Sequence, residues 1–278
     1  MTARTVLVTG GAGGLGRVLV AELKRAGWRV RALVHRRPVA EADESVADLG
    51  GLAGVDAVVH AAAVTHARDP QDYAVNAELT AEIVAAAGNV ERILLVGTRA
   101  AGGAYAASKR RAEESVRASA AAFTIVRLPE VYGAGGREGI DRLIDAARRG
   151  RPILLVGGGG HEVSPLYVDD AVAALVRALE VRAAAGRTYT LWGDPMTMRA
   201  AAETCRRVFG SRSPLVPVPV RAVRTASALS RLLPLPLYPD QLERLQAPRP
   251  EPSPEAETDL GFRPRPFVEG LRRLQSAA

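Results

Sequence analysis

Tyr105 and Lys109 stand four residues apart in the run Tyr105-Ala-Ala-Ser-Lys109, a spacing that puts both side chains on one face of a helix. A free tyrosine ionises near pH 10, too high for ready proton exchange at neutral pH. A neighbouring ammonium favours the phenolate and brings that value down. So tuned, Tyr105 can give a proton to a carbonyl oxygen that is being reduced, or take one from an alcohol in the reverse direction. The chain holds six tyrosines and two lysines, Lys24 and Lys109. Such a composition yields about 0.04 Tyr-x-x-x-Lys matches by chance. The pair is therefore read as functional rather than as an ordinary surface Tyr and Lys.

Reduction needs an electron donor, and the N-terminus offers a place for one. VTGGAGGLG (residues 8–16) joins an apolar, β-branched run to a helical one. Gly10 permits a tight turn, Gly13 lets backbone approach a pyrophosphate, and Gly16 allows close helix–strand packing. Amides at Gly14 and Leu15, where the helix starts, would face the phosphates with its dipole behind them. Thr9 closes the strand at the same place. The chain thus carries a dinucleotide loop, and Lys109 can also bond a nicotinamide ribose. An NAD site carries an acid about 20 residues on. Here ALVHRRP (residues 32–38) has none, and the first acid is Glu41. His35, Arg36 and Arg37 stand there instead, and guanidinium groups suit a 2′-phosphate in geometry and charge. The expected cofactor is NADP(H) in preference to NAD(H).

The elements that must hold these groups follow from periodicity. Strands are expected over residues 5–10, 28–35, 56–63, 92–98 and 123–129, and helices over 15–27, 74–88 and 105–119. Alternation at this spacing implies parallel strands with right-handed crossovers. After Pro129 the rhythm changes: glycine loops at 133–136 and 157–160 flank a helix at 140–149, and another helix covers 168–180. Asp169 and Asp170 open that last helix and read as an N-cap, since adjacent residues cannot converge as an acid pair. Dense prolines from Leu232 to Pro266 predict an extended segment laid over the body.

Composition excludes several classes. The net charge is +7, but the excess is arginine spread along the chain, which reads as a solvated basic surface and not a nucleic-acid site. Cys205 is the only cysteine. It rules out an intrachain disulfide and any cysteine-based metal site, and its neighbours make it a core residue. No His, Asp and Glu cluster has metal-ligand spacing, so no metal is expected. His161, in a glycine loop, is expected to be exposed, and His60 to line the cofactor pocket. No apolar run is long enough to span a bilayer and no secretion signal opens the chain, so a soluble cytoplasmic protein is expected.

Taken together these residues resemble the short-chain dehydrogenase/reductase superfamily, in its extended, epimerase/dehydratase-like branch. Thr9–Gly16 resembles the branch's TGxxGxxG loop, RLPEVYG (residues 127–133) its RPxxVYG segment, and SPLYVDDAV (residues 164–172) and LGFRPRPFVEGL (residues 260–271) its later blocks. The resemblance implies an α/β fold: a Rossmann-type doubly wound parallel sheet, with residues 1–130 as the NAD(P)-binding domain. Residues 131–278 would form mainly a small C-terminal substrate-binding lobe, with about 160–180 returning to the sheet. It implies that Asp48 and Leu49 contact adenine, that Ala61, Ala62 and Pro129 line the cofactor, and that Asn76 is structural. Thr98 would be the third catalytic residue, polarising the substrate oxygen. Homodimers are common in the superfamily.

Three departures bear on function. Only six residues separate Thr98 from Tyr105, where the branch has a longer loop, which predicts a more open site. Glu130 stands where nucleotide-sugar members have Asn, and Val163 where they often have Arg. The implied activity is NADP(H)-dependent reduction of a ketone or aldehyde, or oxidation of the alcohol, on a small organic substrate lying near Tyr132 and Tyr167. The alternatives are a nucleotide-sugar epimerase or dehydratase with retained NAD and a non-catalytic NADP(H)-sensing NmrA-like protein. The Tyr/Lys pair counts against the latter.

Overall fold

The computed structural model describes residues 3–34, 38–88, 90–133, 135–136, 139–229 and 240–276. In chain order the strands are β1 (Thr5–Thr9), β2 (Arg29–Leu33), β3 (Glu44–Val46), β4 (Ala57–His60), β5 (Arg92–Thr98), β6 (Ala122–Leu128), β7 (Val131–Tyr132), β8 (Ile153–Val156), β9 (Glu162–Val163), β10 (Leu166–Tyr167), β11 (Arg187–Thr190), β12 (Met196–Thr197) and β13 (Leu215–Val218). The helices are α1 (Gly14–Arg25), α2 (Ala74–Ala86), α3 (Gly103–Arg117), α4 (Ile140–Arg148), α5 (Val168–Glu180), α6 (Met198–Val208), α7 (Val220–Leu229), α8 (Asp240–Gln246), α9 (Glu255–Leu260) and α10 (Phe267–Ser276).

Seven strands form a parallel sheet in the order β11-β6-β5-β4-β1-β2-β3. Both faces are covered at its centre, so β1 is apolar without interruption there: Val6, Leu7 and Val8 are all fully buried. The period of two still sorts them. Val6 and Val8 join Leu19 and Leu23 of α1 and Val172 and Leu175 of α5. Leu7 joins Ile83 of α2 and Ala112 and Val116 of α3 on the other face. The helix α1 ends in a paired closure, Gly27 N–H to the Lys24 carbonyl and Trp28 N–H to that of Leu23. Gly27 sits at φ +86°, where a side chain would be strained. The doubly wound α/β fold is thus as the residues foretold.

A second core cluster lies off the sheet, where Ile144 of α4, Leu155 of β8, Cys205 of α6 and Phe267 and Leu271 of α10 pack with Tyr132 and Tyr167. Two sequence expectations need correction. Neither Asp169 nor Asp170 caps α5: Tyr167 holds the N-cap position without a side-chain bond. Asp170 instead accepts from the Arg265 backbone N–H at 3.0 Å and pairs with its guanidinium at 2.6 Å, a partner 95 residues away. The proline-rich stretch is not uniformly extended either, since it contains α8 and α9; prolines at 248, 250, 252 and 254 separate these helices rather than interrupt them. Residues 230–239 lie outside the described residues. Among the described residues no helix is long and apolar enough to cross a membrane, and no group of His, Cys, Asp and Glu could hold a metal ion.

Candidate active site

The strand ends that face the glycine loop carry the residues named above. Gly10 turns at φ +74°, and a Cβ there would lie 2.7 Å from the Ala62 nitrogen. The loop therefore passes directly over the end of β4, where Ala61 and Ala62 follow. At Gly16 an added Cβ would run into the Gly10 carbonyl oxygen, so only glycine lets α1 start this close to β1. Gly13 is the N-cap of α1, with no side-chain cap and no acid in the first turn. Glycines in close backbone approach, and a helix start left free of competing carboxylates, fit a dinucleotide pyrophosphate at Gly13, Gly14, Leu15 and Gly16. Asp48 follows β3 and spends its carboxylate on the Gly50 N–H at 2.8 Å, with Leu49 opening the short turn it caps. Pro129 follows β6 directly. His35, Arg36 and Arg37 lie outside the described residues.

Beneath the loop a buried polar chain links β1 to α3. Thr9 Oγ1 accepts from the Ala62 N–H at 3.1 Å and lies 2.6 Å from His60 Nδ1. His60 Nε2 is 2.9 Å from Thr80 Oγ1, whose single proton goes to the Asn76 carbonyl at 2.7 Å. Thr80 must then accept from His60, so the imidazole carries its proton on Nε2 and takes the Thr9 hydroxyl proton on Nδ1. Burial, with the Lys109 charge behind it, pushes His60 down to about 3; it is a neutral girder and not a base. Asn76 continues the chain, clasping Val64 N–H and C=O at 2.7 and 3.0 Å and donating to Ser108 Oγ at 3.1 Å. Ser108 in turn donates to the Tyr105 carbonyl at 2.8 Å. The sequence carried one sign of this arrangement, the i, i+4 spacing of Asn76 and Thr80 on α2.

Helix α3 positions Tyr105 and Lys109 one turn apart. Lys109 is 2% exposed, and burial pushes its ammonium down to about 8 while Glu113 works the other way. Glu113, also 2% exposed, is held by Arg127 through two bonds of 2.8 and 2.6 Å and by Arg117 at 3.0 Å. Lys109 and Thr98 line one cavity of about 120 Å³ with Glu113, Arg127 and Pro250. The Thr98 hydroxyl accepts from the Ala100 N–H at 3.1 Å. The Tyr105 ring meets the Tyr73 ring edge-on, centroids 5.8 Å apart.

The expected openness of this region is corrected by α8. Only the short turn 99–102 follows β5, and α8 packs directly on it: a Cβ on Gly102 would lie 2.6 Å from the Glu243 carbonyl oxygen. Its Arg244 stacks on the Tyr105 ring at 4.1 Å. Sequence reasoning missed this residue, and a lone arginine among proline-rich residues carries no periodic signal. Further along, Arg249 grips Glu130 through two bonds of 2.8 and 2.5 Å. Burial alone would raise the Glu130 carboxyl, but Arg249 and the Ser164 N–H hold it below its usual value. His161 is half-buried rather than exposed, its Nε2 shut from solvent without a partner among the described residues; burial and Arg249 lower its basicity. Tyr132 and Tyr167, expected beside the substrate, are 1% and 7% exposed. They pack edge-to-face with each other, and Tyr132 likewise with Phe267, because the second core needs large apolar rings at these positions.

The arrangement agrees with what the chain is similar to. A sequence model described as the NAD dependent epimerase/dehydratase family matches residues 6–191. The chain is 35% identical to a ceramide reductase of Caulobacter vibrioides, over 81% of this chain and 76% of that protein. It is 30% identical to a 2-alkyl-3-oxoalkanoate reductase of Stenotrophomonas maltophilia, over 98% and 99%. Among solved structures, the UDP-glucose 4-epimerase of Thermotoga maritima superposes with a TM-score of 0.80 at 19% identity, over 98% of this chain and 97% of that one. MoeE5, solved with UDP-glucose and NAD, gives 0.78 at 24% identity over 99% and 100%. At those identities the structures speak for the fold, while the family match and the reductases speak for the lineage. The chain is thus an oxidoreductase-type, NAD(P)-binding member of the NAD dependent epimerase/dehydratase family.

Proposed function

We propose that this protein is an NADP(H)-dependent reductase of a ketone or aldehyde on a small organic substrate. The observation that carries the reading is helix α3, which sets Tyr105 one turn before a buried Lys109 that shares a cavity with Thr98. Bound along the glycine loop, the nicotinamide cofactor would supply hydride to the carbonyl carbon. Tyr105 holds the proton for the carbonyl oxygen, and Thr98 orients that oxygen through its hydroxyl. Lys109 bonds the nicotinamide ribose and keeps the Tyr105 phenol acidic. Arg36 and Arg37 bind the 2′-phosphate. Asp48 and Leu49 border the adenine, and Ala61, Ala62 and Pro129 line the rest of the cofactor. Residues 131–278 form mainly the lobe that selects the substrate, with about 160–180, and β11 after them, returned to the sheet.

Relatives named as reductases, one of them of 3-oxoalkanoates, support reduction over epimerisation. The Glu130–Arg249 pair supports a ligand other than a diphosphate-linked sugar, because it sets a carboxylate where a carboxamide is expected for such ligands. The test is Tyr105→Phe, measured as NADPH consumption with a panel of 3-oxo esters, alkyl ketones and aldehydes. Turnover is expected to fall about 10²–10⁴-fold with cofactor affinity retained. A fully active variant would sink the assignment.

A further inference from the structure

We propose that Arg244 is a positioning residue for Tyr105, boxing its ring against Tyr73 and adding a second cation that favours the phenolate. The inference rests on Tyr105 as the proton donor. Its geometry is specific. The guanidinium carbon lies 4.1 Å from the Tyr105 ring centroid and 5.3 Å from that of Tyr73. Nη2 donates to the Tyr73 hydroxyl at 2.8 Å and Nη1 to the Thr65 carbonyl at 3.0 Å, while Nε engages Asp240 within α8. The side chain is 16% exposed, so it is a built part of the site and not a solvated arginine lying across it. A planar, permanently charged fork can make all these contacts at once, which an ammonium cannot.

The dock beneath it is also built. Gly103 turns at φ +83°, and a Cβ there would strike the Asp240 carboxylate. That carboxylate accepts from the Ala104 N–H at 2.5 Å, fixing α8 to the first turn of α3, one residue before Tyr105. Tyr73 is anchored independently, accepting from the Ala67 N–H at 3.0 Å. Among the described residues, the charged and titratable groups next to Tyr105 include Lys109 one turn along its own helix, with Tyr73, Arg244 and the Asp240 carboxylate across from it. Asp240 opposes the phenolate, but it sits at the helix start, whereas Arg244 covers the ring face over which phenolate charge spreads. The same contacts aim the phenol axis, because the ring cannot tilt away from Tyr73 without meeting the guanidinium.

The test reads Tyr105 ionisation directly, by phenolate absorbance in the near ultraviolet on cofactor-free protein. Subtracting the curve of Tyr105→Phe isolates this one tyrosine. In the wild type the transition is expected below the value near 10 of free tyrosine. Arg244→Met should move it upward by about half a pH unit or more. Arg244→Gln, which keeps a donor for the Tyr73 hydroxyl without the charge, should shift it the same way and serves if the methionine variant fails to fold. Arg244→Lys, which keeps a charge but cannot hold all these contacts, should shift it upward by less than either neutral variant. A transition unmoved in both neutral variants, or no wild-type transition below that of free tyrosine, overturns the proposal. No substrate is needed, so the outcome is separate from the reductase reading: an active Tyr105→Phe would remove the donor role and leave the ionisation difference standing.

Discussion

Replacing Lys109 by methionine should stabilise the cofactor-free protein while destroying its activity. The lysine is almost wholly buried, and its ammonium is pushed from 10.5 down to about 8, chiefly by loss of water. At about 1.4 kcal/mol per pH unit, that displacement amounts to about 3 kcal/mol set against the folded state. The sign follows from proton uptake. Between about pH 8 and 10.5 the unfolded chain still holds a proton that the folded one has released, so stability rises with pH across that window. Below about pH 8 both states are protonated and the full penalty applies; above 10.5 it is gone. Methionine keeps the length and discards the charge. Glu113 is not orphaned by the change, because Arg127 and Arg117 still hold it. Urea unfolding of both proteins, from roughly pH 6.5 to 10.5, is the assay. Lys109→Met is expected to be more stable by about 3 kcal/mol at neutral pH, the advantage vanishing toward the alkaline end. A difference that stays flat with pH, or a variant less stable at pH 7, refutes the reasoning.

Three further outcomes are expected. Titration by protein fluorescence should show tighter binding of NADPH than of NADH, and replacing Arg36 and Arg37 by serine should weaken NADPH at least about tenfold; equal wild-type affinities would count against the 2′-phosphate assignment. Gly16→Ala drives a methyl group into the Gly10 carbonyl. It should abolish dinucleotide binding and lower stability by about 1–3 kcal/mol, read by calorimetric titration and melting temperature. Glu113→Gln leaves Arg127 and Arg117 without their carboxylate and removes the group that favours a charged Lys109. It should destabilise the fold by about 3 kcal/mol in denaturant unfolding, and unchanged stability would show the pair to be ornamental.

What the residues reveal before any coordinates depends on how far apart the partners are. Strands β1, β2, β4, β5 and β6 and helices α1 to α3 declare themselves because their signals are local: alternation or apolar runs, a glycine stop, a spacing of four; the three-residue β3 is too short to show one. Tyr105 and Lys109 belong to that class, and the glycine loop gains its meaning from the strand before it and the helix after. Asp170 was misread because a capping acid and an acid waiting for Arg265 look alike until the chain has folded back 95 residues later. Arg244 reaches Tyr73 across 171 residues, so nothing near it in sequence announces the contact. The short turn before α3 was seen but its effect was inverted, since a loop's absence leaves space that a distant segment can fill. His60 is expected to line the cofactor pocket, but its bonds run to Thr9 and Thr80, and of these partners only Thr80, four residues from Asn76, leaves a trace in the sequence.

The order of the sheet has a consequence for how the chain is made. Six of the seven strands, together with α1 to α3, are complete by Leu128. The face formed by Leu94, Val96 and Val126, however, is closed by α5, which ends at Glu180, and β11 reaches the sheet edge later still. At about 5–20 residues per second, a ribosome needs roughly 3 to 10 s to add residues 129–180. For that interval the nascent protein presents a nearly finished sheet with one greasy side covered only in part, by α1, and β6 as an unpaired edge. Synthesis speed through the lobe thus sets how long the half-made sheet is exposed, and synonymous codons across residues 129–180 become a handle on yield that leaves every contact in the finished molecule unchanged.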